Sequence, residues 1–279
     1  MNNRKRSNHI APMQLMTRDV SVILSVYENR FIRRDQIQRL HFAHCSVQAT
    51  SARLKKLSDH KFLDKLQRPV AGGASQAVYA LNKRGADVVA RYLEKSRQSV
   101  HWKRDNNRVE WLFMEHTLAV SEFKVCLDLA LARREEELYF YQRGDRSLIR
   151  RVPDPRGKKK YIVVASDAFF GIQAESGKYI FFLEVDMGTE TLKRFQEKVI
   201  AYKRYWKSGK FKEEYGFNHF RVLTVAGSDR RLANLIHAAG EVGAQYMFVF
   251  TTFAGLHNVG IFEPIWLAPV SRDRVEIIG

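Results

Sequence analysis

The chain has almost no cysteine: Cys45 and Cys126 are its only two in 279 residues, and they do not stand at CxxC spacing. Neither a disulfide framework nor a zinc knuckle is supported, and a reducing cytoplasm is the expected compartment. No His-x-His signature is present, and His9, His44, His60, His101, His219, His237 and His257 show no metal-ligand spacing, so no chemistry is assigned to them. No apolar run approaches the roughly 18–20 residues of a membrane helix. The start, Met1-Asn-Asn-Arg-Lys-Arg, leads into Ser-Asn-His rather than an apolar stretch. Neither a membrane-spanning protein nor one with a secretory signal is expected. Acid is scarce too, with 30 Asp+Glu against 47 Lys+Arg, a net charge of +17. A disordered chain is excluded, because 18 Phe, 11 Tyr and 4 Trp supply a real core.

The excess charge is uneven. Up to Glu110 there are 22 basic and 9 acidic residues (+13), and beyond it 25 and 21 (+4). A polyanion is the natural partner of such a half, since each neutralised phosphate releases condensed counterions. Length favours two domains.

In the first third, Val20, Val22, Ile23, Val26, Tyr27 and Phe31 recur at helical spacing behind Thr17-Arg-Asp. A second helix is predicted over about 34–42, with Ile37, Leu40 and His41 on one side. A third is predicted over about 47–59, with Val47, Thr50, Leu54 and Leu57 facing inward. The outer face of that third helix carries Gln48, Ser51, Ala52, Arg53, Lys55 and Lys56, suited to base edges at its start and phosphate at its end. Arg33 and Arg34 precede the turn. Two short strands about Ala71-Gly72-Gly73-Ala74 make a hairpin, and a helix follows over 86–95. This order resembles a winged helix-turn-helix domain over residues 15–97, which implies binding to double-stranded DNA through the third helix. Residues 1–14 read as a basic tail and 98–108 as a polar linker. The remainder, 109–279, opens with a long helix to about Arg134, on which His116 reads as a packing residue and Glu122 as a site candidate.

Strands are predicted at 138–142, 160–165, 167–172, 178–186, 219–226 and 246–251, with helices at about 190–207 and 230–242. The second domain is therefore α/β. Ala174-Glu-Ser-Gly177 is a turn between two extended runs, so they should pair antiparallel. If paired positions sum to 351, Asp167 faces Glu184; if they sum to 353, Asp167 faces Asp186. Either register gathers Asp167, Glu184 and Asp186 on one side. Carboxylates so gathered among apolar neighbours require a cation. Oxygen ligands without histidine or cysteine favour Mg²⁺ or Mn²⁺. A structural ion pair of Glu184 and Asp186 with Lys193, Lys198 or an arginine is the competing account. Lys198 and Tyr202 share a face of the next helix.

An aspartate, a hairpin and Glu-x-(Asp/Lys) at a strand end resemble the PD-(D/E)XK nuclease core, giving an α+β chain of winged helix-turn-helix plus nuclease-like domain. Ser166 stands in place of the motif proline and Asp186 in place of the usual lysine. By the resemblance Asp167 and Glu184 hold metal, with Lys198 supplying the missing cation from the following helix. The two domains together, with Phe-Leu-Glu-Val-Asp-Met-Gly-Thr-Glu-Thr ahead of Lys198 and Tyr202, resemble the replication-relaxation family over about residues 15–265. That family includes plasmid mobilisation relaxases of the Clo type. The resemblance implies a DNA-nicking or replication-initiating role, with Asp167, Glu184, Asp186 and Lys198 as the site and metal-dependent hydrolysis as the chemistry. The alternative is a repressor or replication accessory factor whose second domain is inactive and serves homodimer or partner contact.

Overall fold

The computed structural model describes residues 13–67, 69–70, 73–100, 102–144, 148–153, 160–270 and 274–278. Most of the basic tail, His9, His101 and Ala71-Gly72 of the expected turn lie outside them. The chain divides into two compact units, Met1–Ser121 and Glu122–Gly279.

The first unit runs α1 (Thr17–Asn29), β1 (Phe31–Arg33), α2 (Arg34–His41), α3 (Val47–Asp59), β2 (Leu63–Leu66), β3 (Pro69–Val70), β4 (Gly73–Ala74), β5 (Val78–Leu81) and α4 (Lys83–Tyr92). Antiparallel pairing gives a three-stranded sheet in the order β1-β5-β2, and β3 and β4 pair beyond it. In α1, Val22, Ile23 and Val26 are fully buried, and the Asp19 carboxylate takes the Met16 N–H at 2.7 Å, satisfying an orphan donor of the first turn. Helix α3 starts where the Ser46 hydroxyl accepts the Ala49 N–H at 3.1 Å, and it buries Thr50, Leu54 and Leu57. Val47, expected inward, is 44% exposed, because it is the first residue of the helix, ahead of the turn that packs.

The stretch expected as a linker is docked instead. Trp102 Nε1 donates to the Leu81 carbonyl at 2.8 Å, and Asn107 Nδ2 donates to the same carbonyl and to Asp64. The long helix α5 (Trp111–Leu131) is likewise shared between units. Of the two expectations for this helix, bridging the domains or packing on the second one, the first is met: Met114 and Leu118 pack with Phe31, Val78 and Ala80, and the Ser121 hydroxyl donates to the Phe31 carbonyl at 2.8 Å, so its first half belongs to the first unit although the sequence reading sets the boundary ahead of it at 109. Apolar periodicity marks a helix without saying which core it completes.

The second unit continues with β6 (Glu137–Arg143), β7 (Ile149–Pro153), β8 (Tyr161–Ala165), β9 (Ala168–Ala174), β10 (Gly177–Asp186), α6 (Leu192–Lys207), α7 (Lys210–Tyr215), β11 (Arg221–Ala226), α8 (Asp229–Glu241), β12 (Phe248–Thr252), α9 (Phe253–Asn258), β13 (Trp266–Leu267) and β14 (Arg274–Val275). Seven strands form a mixed sheet in the order β14-β13-β12-β11-β10-β9-β6. β10, β11 and β12 are parallel, joined through α6 and α8, whereas β6, β9 and β10 are antiparallel. Strand β8 pairs only with β7 among the described residues, apart from the main sheet. From Ile180 to Asp186, β10 is buried at every position, as expected of a central strand covered on both faces. On the α6 face, Phe169 and Phe182 stack at 4.6 Å, and Phe195, Val199 and Tyr202 of α6 complete the core. No helix among the described residues is long and apolar enough to cross a membrane.

Candidate carboxylate site and candidate nucleic-acid face

The β9–β10 hairpin adopts the first of the two registers: Ala174 pairs with Gly177 and Ala168 with Leu183, positions summing to 351. Continued by one residue, this sets Asp167 across from Glu184. The contact is anchored by the backbone, as Asp167 N–H donates to the Leu183 carbonyl at 2.9 Å and Asp167 Oδ2 accepts the Val185 N–H at 2.7 Å. Gly144 supports the same point from β6's end: its N–H donates to the Asp167 carbonyl at 2.7 Å, and a Cβ there would lie 2.3 Å from the Ser166 carbonyl oxygen. Only glycine lets the two backbones approach so closely.

Glu184 is 3% exposed, and both its oxygens are taken. Lys198 Nζ donates to Oε2 at 2.9 Å and the Tyr202 hydroxyl to Oε1 at 2.6 Å. The i, i+4 spacing on α6 aims both donors at one carboxylate, and the Thr191 hydroxyl caps the helix by accepting the Arg194 N–H. Burial pushes the Glu184 carboxyl up, and the nearby Asp167 adds to this, while Lys198 counters it. Burial also pulls on the Lys198 ammonium, but Glu184 and then Glu190, at 3.1 Å, outweigh that and keep it charged. Burial and the Glu184 charge hold the Tyr202 phenol well above its ordinary value, so it stays protonated as a donor.

Asp186 shares the face but has different company. Arg231 of α8 grips it with two bonds, Nε to Oδ1 at 2.7 Å and Nη2 to Oδ2 at 2.8 Å, and also donates to the Glu190 carbonyl. The Gly188 N–H is donated to Oδ1 at 2.8 Å. The position that carries lysine in the nuclease motif is thus filled by an aspartate neutralised by an arginine, and the hydroxyl of Thr224, paired beside Glu184 on β11, has no hydrogen-bond partner among the described residues. Lys193 is exposed, and none of the ion pairs among the described residues includes it. Arg231 and Glu190 were missed in the sequence. The Ser228 cap marks the start of α8, but nothing in the spacing ties Arg231 to a residue forty-five positions earlier.

In the first unit, the exposed residues of α3 are Val47, Gln48, Ala49, Ala52, Lys55 and Lys56, with Ser51 partly so. A groove of about 940 Å³ separates this helix from the hairpin, lined among others by Arg34, Ser51, Lys55, Lys65, Gln76 and Tyr79. Lys55 pairs with Asp59 at 2.5 Å on the surface. Two more of the expected contact residues are engaged, these by carboxylates of α1 and α5. Arg53 points to the buried Asp19, with Nε 2.7 Å from Oδ1, and Arg33 is bonded to Glu115 at 2.9 Å.

A two-unit α+β protein, with a helical unit bearing a basic groove and a sheet unit ending in carboxylates, is the class so defined. The family model for replication-relaxation proteins matches residues 24–220, and the chain belongs to that family. No curated protein and no solved structure matches it.

Proposed function

We propose that this is a DNA-binding protein that holds duplex DNA with a winged helix-turn-helix in its first unit, α3 acting as the recognition helix and β2–β5 as the wing. The observation that carries the proposal is the exposed Gln48, Ala52, Lys55 and Lys56 row, facing outward beside a groove whose other wall includes Lys65. A polar helix start and a cationic end match major-groove edges and phosphate. Arg53 and Arg33 leave the contact set, since their guanidinium groups hold α1 and α5. Both cysteines are thiols outside any disulfide, in keeping with a cytoplasmic protein.

The second unit suits metal-dependent strand cleavage in its donor chemistry: Asp167 and Glu184 face each other at a strand end, with one ammonium beside them. These two carboxylates would hold Mg²⁺ or Mn²⁺, Glu184 through the lone pair each oxygen keeps beside its single bond to Lys198 or Tyr202, whereas Asp186 is neutralised by the two-bond grip of Arg231 and its Oδ1 also accepts the Gly188 N–H. The ion would supply Lewis-acid polarisation of a phosphate and a more acidic water. Lys198 places a fixed positive charge where negative charge develops on the phosphate. Tyr202, held protonated, orients Glu184 and is no nucleophile. The full pairing of Glu184 and Asp186 with protein cations favours a second reading, an accessory factor whose sheet unit is catalytically silent.

Supercoiled plasmid carrying the cognate origin, incubated with Mg²⁺ or Mn²⁺, tests both. Nicking that disappears in Asp167→Ala supports the enzyme; no nicking with any metal, alongside intact gel shifts, supports the accessory factor. For DNA binding, Lys55→Ala and Lys56→Ala should each weaken affinity and lower the salt slope by about one with the fold unchanged. Unchanged affinity and slope in the double variant would remove α3 from the interface.

A further inference from the structure

A second cluster lies away from these residues, in the unit that begins at Glu122. Glu122 and Cys126 stand one turn apart on α5, and His257 comes from α9, the short helix directly after β12. His257 Nε2 is 2.7 Å from Glu122 Oε1, and the Cys126 thiol lies 3.7 Å from the same oxygen. One ligand atom from each of the three falls within 4.8 Å of the others. The burial is graded: Glu122 is inside, Cys126 half-buried and His257 at the surface.

We propose that Glu122, Cys126 and His257 form a binding site for a single Zn²⁺ ion. Sulfur, nitrogen and oxygen donors together suit zinc and not magnesium or calcium, which take oxygen only. The spacing is also right. At ordinary zinc–ligand lengths, a tetrahedron has edges of about 3.3–3.6 Å between its donors. The thiol–carboxylate separation of 3.7 Å is already close to that. The 2.7 Å imidazole–carboxylate contact must open by about 0.6 Å, which a half-exposed histidine at the end of a short helix can do. Zinc takes the place of the Cys126 thiol proton, which leaves to solvent, so binding strengthens as pH rises. Three protein ligands leave the fourth position to water at the exposed, histidine side. The ion fastens α9 to α5 within the one unit. No ordinary sequence pattern announces this, since two ligands share a helix and the third follows 131 residues after Cys126.

The test uses the full chain without an affinity tag, stripped with chelator. Zinc titration against a chromogenic competitor should give one equivalent per chain, and Co²⁺ in its place should give a thiolate charge-transfer band. Cys126→Ser and His257→Ala should each weaken zinc binding at least about tenfold and abolish that band. Cys45→Ser and Asp167→Ala should leave both unchanged, which separates this site from the Asp167–Glu184 pair. Zinc should raise the melting temperature of the native protein above its metal-free value and leave that of His257→Ala at its own metal-free value, whatever the loss of the Glu122 contact does to that baseline. Absence of stoichiometric binding, or binding indifferent to Cys126→Ser and His257→Ala, overturns the proposal.

Discussion

Replacing Arg231 by alanine decides what Asp186 is. The guanidinium donates two bonds to Asp186 and a third to the Glu190 carbonyl, and the side chains are 17% and 6% exposed. Truncation leaves a buried carboxylate without its counter-charge, at a cost of about 3–5 kcal/mol, the usual range for breaking one side of a buried pair. For a unit of this size each kcal/mol moves the melting temperature by about 2–4 °C, so Arg231→Ala should lower it by roughly 6–20 °C. Chemical denaturation of the full chain gives the free energy directly. The double variant Asp186→Leu/Arg231→Leu, which removes both charges, should return to within about 1 kcal/mol of the native value, so the cycle reports a large coupling. A loss below about 1 kcal/mol in Arg231→Ala, or a double variant no better than the single, would refute the reasoning. Asp186 would then be a hydrated carboxylate, and the proposed Asp167–Glu184 ligand pair would gain a third member.

Two further perturbations follow from local contacts. Gly144→Ala should destabilise the second unit by about 1–3 kcal/mol, because the added Cβ meets the Ser166 and Asp167 carbonyls; a variant with native melting would contradict that close approach. His41, hydrogen-bonded to Ser25 at 2.8 Å, has its pKa lowered from 6.5 to about 4 by burial and then by Arg18. Its folded value is depressed, so the stability it confers is complete above pH 6.5 and is lost as pH falls toward 4, amounting to about 3 kcal/mol. Urea midpoints measured across that range should show the decline, and His41→Gln should flatten it; an equal slope in both proteins would place the titration elsewhere.

Much of the fold is written in local periodicity, and some of the site is too. The hairpin around Ala174-Glu-Ser-Gly177 confines Asp167 to one of two partners, and both registers keep the carboxylates on one face because side chains alternate with a period of two. Lys198 and Tyr202 are legible as a pair since an i, i+4 spacing needs no tertiary information. What local pattern does not encode is who meets whom across elements. Arg53 looks like a DNA-facing cation until α1 brings the buried Asp19 against it. Arg231 reaches Asp186 only because α8 packs beside α6 on the same sheet face, and His257 reaches Glu122 only once β12 has placed α9. The same limit explains residues 98–121: their polarity and helical period are plain, but the Leu81 carbonyl that receives Trp102 and Asn107 is a property of the folded unit.

Strand β10 is hydrogen-bonded on both sides, by β9 and β11, and is covered over its last seven residues. Its amides should therefore exchange with solvent deuterium only when the whole second unit opens, whereas the short edge strand β14 and the two-residue pair β3–β4 should exchange through local fraying. The backbone bearing Glu184 and Asp186 should therefore be among the slowest to exchange in that unit. Whatever these carboxylates do, they do from a strand held on both sides, so any motion that their function requires falls to the surrounding helices and hairpins.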